Sequence, residues 1–258
     1  MEARAEKGSF KTVIPILVIN IDSAKERWSN ISSQLHAYGK NVSRLEAVDG
    51  KHYDHPLFIN YDHDLRKKCK GEGLSRGQLG CFASHYLAWK KCVELKSSVV
   101  ILEDDVTIVE PHFSEFLQRA PLLDSRYECI RLFANNSKSH REIPLEDCGS
   151  FRIVKYTKGP MSAMGYYLTP AGASKFIKNS KPWFLPVDIY MDRFWKNGVE
   201  CFGLNEPVVK HEYIFESMIG YAADRPKRSI GLTIKREWFA ACEVSKRFLH
   251  NTRFRLGR

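Results

Sequence analysis

The chain has 258 residues, 43% of them hydrophobic, which suits one large α/β domain, alone or with a smaller appendage, and excludes a chain too short or too polar to bury a core. Its seven cysteines (Cys69, Cys81, Cys92, Cys129, Cys148, Cys201 and Cys242) are odd in number and scattered, with no CxxC or Cys/His cluster of zinc spacing, so reduced thiols in a cytosol fit best. Of the formal net charge of +10, the stretch 225–258 carries +8, ten Lys/Arg against Glu237 and Glu243; a neutral body with a basic end argues against nucleic acid and for an anionic docking partner such as a membrane leaflet.

The start, Met1 to Lys11, is polar and mixed in charge, which predicts no signal peptide, and no apolar stretch reaches membrane-spanning length. Residues 13–21 are continuously apolar and β-branched, as in a buried parallel strand. Ala24 to Tyr38 reads as a helix stopped by Gly39, and Arg44–Val48 as a second strand closed by Asp49-Gly50. Residues 51–70 show little periodicity and are expected to be an active-side loop or a frayed helix. Ser75 can cap a helix from Arg76 to Leu95, and Val99–Leu102 is a buried strand running straight into Glu103-Asp104-Asp105. Three adjacent like charges repel, so that strand end calls for a cation or a cationic partner.

Pro111 opens a further helix, Cys129–Phe133 is a short strand, and Ala134–Gly149 reads as a polar excursion. Ser162–Leu168 predicts a strand, Thr169–Ile177 a helix, and Pro182–Asp188 a proline-bracketed loop with Asp188 at the N-cap of the next helix. Val199–Leu204 is the last apolar strand, and Pro207–His211 begins an irregular return. From Thr233 to His250, Ile234, Trp238, Ala241, Val244 and Phe248 repeat at helical spacing beside Lys235, Arg236, Lys246 and Arg247, a basic amphipathic helix. The expected division is a domain over 1–224 and a basic tail over 225–258. The tail's apolar residues could instead pack on the body with its charges merely solvated.

Several of these stretches together resemble glycosyltransferase family 25. They are Val18-Ile19-Asn20-Ile21-Asp22 with Arg27, Arg44 through Ala47-Val48-Asp49-Gly50, Leu74-Ser75-Arg76-Gly77-Gln78-Leu79-Gly80-Cys81-Phe82-Ala83-Ser84-His85, and Ile101-Leu102-Glu103-Asp104-Asp105-Val106, with a looser echo in 164–168 and 186–188. The resemblance implies a GT-A-like, Rossmann-type fold, a mostly parallel sheet flanked by helices. It also implies inverting transfer of a hexose, most readily β-linked galactose, from a UDP-sugar (UDP-galactose or UDP-glucose) with Mn²⁺ or Mg²⁺. Lipooligosaccharide is the expected acceptor, and the expected location is cytoplasmic, peripheral on the inner face of the bacterial inner membrane. Glu103-Asp104-Asp105 departs from the family's usual DxD pattern.

In such a sheet the carboxyl ends of the strands bring Asn20, Asp22, Asp49 and the 103–105 carboxylates to one place. Asp105 is the first-choice metal ligand and Glu103 the second, with His211 as a late histidine of the kind GT-A enzymes use. Asp104 should face the sugar hydroxyls, because neighbouring side chains on an extended chain point oppositely. Ser84 and His85 are assigned to donor contact and Arg27 to the diphosphate, although Arg27 could be a solvated helix charge. The base expected to deprotonate the acceptor is Asp188, with Asp192 as substitute and Trp183 and Phe184 as sugar-stacking aromatics; a plain helix cap is the competing reading of Asp188. A metal-dependent phosphoryl-transfer enzyme and a non-catalytic saccharide-binding protein are the other function classes that acidic clusters of this kind allow.

Overall fold

The computed structural model describes residues 14–133, 142–211 and 230–257. The Met1–Lys11 segment, the expected 224/225 boundary and the start of the basic tail lie outside the described residues. In chain order the elements are β1 (Ile16–Asn20), α1 (Lys25–Gln34), β2 (Val42–Glu46), α2 (His63–Lys70), α3 (Arg76–Leu95), β3 (Val99–Glu103), β4 (Val106–Ile108), α4 (His112–Arg119) and β5 (Cys129–Arg131). They continue with β6 (Glu142–Cys148), β7 (Phe151–Tyr156), β8 (Gly165–Leu168), α5 (Pro170–Asn179), α6 (Val187–Met191), α7 (Phe194–Asn197), β9 (Phe202–Leu204), β10 (Val209–His211) and α8 (Ile230–Leu256).

Eight strands form one sheet in the order β2-β1-β3-β8-β5-β9-β7-β6. Only β8 and β7 run against the rest, each antiparallel to both of its neighbours, so the sheet is mostly parallel and flanked by helices. The continuous apolar runs of β1 and β3 are explained by burial on both faces. Ile16, Val18, Val100 and Leu102 point into one cluster with Phe113 and Phe116. Leu17, Ile19, Val99 and Ile101 point into the other, with Phe82, Trp89 and Trp183. Burial of each such side chain contributes about 1.5–3 kcal/mol.

The helix predicted at 76–95 has those bounds because Ser75 accepts from the Gln78 N–H while the Gln78 side chain accepts from the Ser75 N–H. Residues 51–70 are more ordered than expected: α2 is capped by Asp62, which accepts from the Leu65 N–H at 2.8 Å. The polar excursion is corrected over its described part, since Glu142–Cys148 is an edge strand in a hairpin with β7. The irregular return is corrected too. Val209–His211 pairs antiparallel with β4, setting His211 opposite Val106. Among the described residues no helix is long and apolar enough to cross a membrane.

Candidate functional site

A cleft of about 200 Å³ opens where β1 and β3 end, between the 47–52 loop and the first half of α3. Close contact between loop and helix forms its wall: a Cβ on Gly80 would stand 2.4 Å from the Val48 carbonyl oxygen, and one on Gly50 2.2 Å from that of Arg76. Ser84 clips the two together, its hydroxyl donating to the Gly80 carbonyl at 2.8 Å and accepting from the Val48 N–H at 2.8 Å.

The floor is Glu103, Asp104 and Asp105. β3 ends at Glu103 and a turn at 104–105 leads into β4, so strand alternation does not govern Asp104. Asp104 lines the floor with its carboxylate already engaged, accepting from Asn20 Nδ2 at 2.6 Å and from Arg27 Nη1 at 3.2 Å. Burial pushes its pKa up, with Asn20 and Arg27 opposing. Arg27 Nη1 also stands 3.5 Å from Asp105 Oδ2, so it is a buried partner of the acidic cluster and not a solvated charge.

Asp105 is the least satisfied of the three. Its Oδ1 is buried without a hydrogen-bond partner, and its pKa is raised to about 7 by burial and then by Glu103 and Asp104, against the pull of Arg27. The β4–β10 pairing brings His211 Nε2 to 3.9 Å from Asp105 Oδ2. A buried oxygen lacking a donor, crowded by like charge and faced by an imidazole, fits a hard divalent cation. Asp105 and His211 are the pair that fits it; Glu103 shares the floor, but its ligand atom groups with Cys81 and His85.

Cys81, His85 and Glu103 form a second group whose ligand atoms lie within 4.8 Å of one another. Trp89 Nε1–H donates to the Tyr166 oxygen at 2.9 Å, and burial keeps that phenol protonated, so its hydrogen goes to His85 Nδ1 at 2.9 Å. His85 therefore carries its hydrogen on Nε2 and donates it to Glu103 at 3.1 Å. The Cys81 thiol is held well above its ordinary pKa by burial and by Glu103, Asp188 and Asp105. To hold a cation here, the Cys81 thiol would have to lose its proton and the His85–Glu103 hydrogen bond would have to break. This group orients Glu103.

Asp49 lines the rim. Burial opposes its ionisation, but hydrogen bonds from His52 at 2.7 Å and from the Lys51 N–H at 3.1 Å prevail and hold it below the usual carboxylate range. Asp22 lies apart from the lining, largely exposed and paired with Arg44 at 3.1 Å. Asn20 is buried beneath the floor, where it also accepts from Arg44 Nε at 2.7 Å.

The expected acceptor side needs four corrections. Pro186, not Asp188, is the N-cap of α6; Asp188 sits in the first turn, half-buried, accepting from the Ile189 N–H. Asp192 is unavailable as a substitute base because it is buried in an ion pair with Arg131 at 2.8 Å and accepts from the Met161 N–H. Trp183 is 1% exposed and stacks on Phe82 in the core, and Phe184 packs against Phe239 of α8. Trp183 presents no face for a sugar, and Phe184 is half-buried with Arg193 over its ring. Tyr166 and Trp89, which fix the His85 tautomer, carry no sequence signal of that task, whereas His52 three residues after Asp49 is a spacing that could have been read.

The family model described as glycosyltransferase family 25 (LPS biosynthesis protein) matches residues 13–191. A Drosophila pseudoobscura pseudoobscura protein named glycosyltransferase 25 family member is 28% identical over 191 residues, 70% of this chain and 30% of its own. Human procollagen galactosyltransferase 2 is 24% identical over 231 residues, 82% of this chain and 35% of its own. A rat protein named probable inactive glycosyltransferase 25 family member 3 is 26% identical over 211 residues, 72% of this chain and 36% of its own. The chain thus spans 30% to 36% of the length of these three relatives.

Proposed function

The chain belongs to glycosyltransferase family 25, and on that premise we propose that it transfers a hexose, galactose before glucose, from a UDP-sugar to a lipooligosaccharide saccharide at the cytoplasmic face of a bacterial inner membrane, with inversion at the anomeric carbon. Galactose is favoured by relatives named procollagen galactosyltransferase, and the acceptor by the family's description as an LPS biosynthesis protein. The observation that carries the reading is the partnerless buried Oδ1 of Asp105 in a three-carboxylate floor.

Asp105 and His211, with Glu103 on the same floor, would hold Mn²⁺ or Mg²⁺, which would offset the charge that grows on the departing diphosphate. Arg27, bridging Asp104 and Asp105, keeps the two acids in place and adds positive charge at the same end of the cleft. The ionised Asp49 at the rim accepts donor hydroxyls, and the His85 N–H fixes the Glu103 carboxylate. Asp188 takes the proton from the acceptor hydroxyl. Its charge reaches Cys81 in the cleft wall, and Asp192, the neighbouring acid, is already committed to Arg131.

A saccharide-binding protein without turnover is the second reading, favoured by relatives named inactive at comparable identity. Family membership gives the phosphoryl-transfer alternative no support. Measuring UDP release from a panel of UDP-sugars, with Mn²⁺ or with chelator, decides: metal-dependent release is expected, and donor binding without release would leave the second reading standing.

A further inference from the structure

α8 has two faces. One grips the body: Glu243 pairs with Arg193 (2.8 Å to Nη2), His250 bonds Glu200, Asn251 donates to the Thr157 carbonyl at 2.8 Å, and Phe254 packs near Phe202. Among the described residues nothing covers the other face. Seven of the eleven exposed large apolar side chains among the described residues lie on α8, including Ile234, Trp238, Val244, Phe248, Leu249 and Leu256. At about 100° per residue these fall within an arc of about 140°. Single exposed apolar residues are ordinary, but a stripe along a 27-residue helix marks an interaction surface.

Cations border the stripe. Lys235, Lys246 and Arg253 lie along one edge by helical position. On the other edge is Arg247, which with Arg255, inside the arc, and Lys158, two residues past β7, surrounds a groove of about 320 Å³ that Val244 and Phe248 also line. Among the described residues none of Lys158, Arg247 and Arg255 has an ion-pair partner.

We propose that α8 lies flat on an anionic phospholipid surface, with its apolar stripe in the headgroup boundary and a lipid phosphate in the groove formed by Lys158, Arg247 and Arg255. Charge selects the occupant. α8 carries six Lys/Arg against two Glu, and Glu243 is already taken by Arg193, so a second copy would set like charges face to face. The helix is too polar to span a membrane, which leaves lying on one.

The test is co-sedimentation of the full chain with phosphatidylcholine vesicles, with and without phosphatidylglycerol, while following tryptophan emission. Binding only to the anionic vesicles, weakened by salt and accompanied by a blue shift lost in Trp238→Phe, is expected. Lys158→Gln/Arg247→Gln/Arg255→Gln should weaken binding roughly a hundredfold, at about fivefold per cation. Trp238→Ser/Phe248→Ser should weaken it as well, with circular dichroism verifying the fold of each variant. Absence of binding, salt-insensitive binding to both vesicle types, or self-association dispersed by Trp238→Ser/Phe248→Ser would overturn the proposal. The assay contains no nucleotide or sugar, so it is independent of the transfer reaction.

Discussion

Replacing Asp105 with Asn is expected to stabilise the protein while removing its activity. Burial, then Glu103 and Asp104, raise the Asp105 pKa from 3.8 to about 7. Between those values the folded chain keeps a proton that the unfolded chain has lost, so stability falls as pH rises through this window, and the full cost is present above about pH 7. At 1.36 kcal/mol per pKa unit the ceiling is about 4 kcal/mol. Solvent at a side chain still 15% exposed roughly halves it, giving an expected gain of about 2 kcal/mol for Asp105→Asn at pH 8. For a chain of this size that raises the melting temperature by roughly 4–8 °C. Urea unfolding with chelator present should show this gain at pH 8 and less than about 1 kcal/mol at pH 5. Added Mn²⁺ should stabilise the parent chain more than the variant. A variant no more stable than the parent at pH 8, or a gain equal at both pH values, would refute the reasoning.

His211→Ala should weaken Mn²⁺ by about tenfold or more, read from the metal dependence of UDP release; unchanged half-saturation would remove His211 from the ligand set. Asp188→Asn should lower kcat by about 10²–10⁴ while KM for the UDP-sugar changes less than about twofold, because Asp188 does not line the donor cleft. Steady-state kinetics would contradict that assignment by showing the loss in KM alone. Gly80→Ala should cost about 3 kcal/mol in urea unfolding, since its Cβ would stand 2.4 Å from the Val48 carbonyl oxygen and 2.7 Å from the Gly50 nitrogen.

What the sequence revealed follows from how local each cause is. β1 and β3 are legible because burial on both faces makes them continuously apolar, and α3 because its capping box is written within four residues. β6 was not, because an edge strand with mixed exposure has no periodic apolar face, and its place is set by β7 and β9 across the hairpin. β4 and β10 are three residues each, too short for a pattern, yet their pairing carries His211 to Asp105. In the site, the acidic floor could be read from adjacent residues. The partners that settle each acid's position could not: Asn20 and Arg27 lie 84 and 77 residues from Asp104, Tyr166 lies 81 from His85, and Arg131 lies 61 from Asp192. Trp183 was misread because its aromatic neighbours in the core come from α3, a separate element.

The central claim, metal-assisted transfer with inversion from a UDP-sugar held over Glu103-Asp104-Asp105, is met most directly by NMR of the product formed from UDP-α-galactose and a saccharide acceptor. The expected result is a β-anomeric galactoside whose formation needs Mn²⁺ and is lost in Asp105→Asn. An α-linked product, or a β-linked one formed equally well with chelator or by Asp105→Asn, would contradict it.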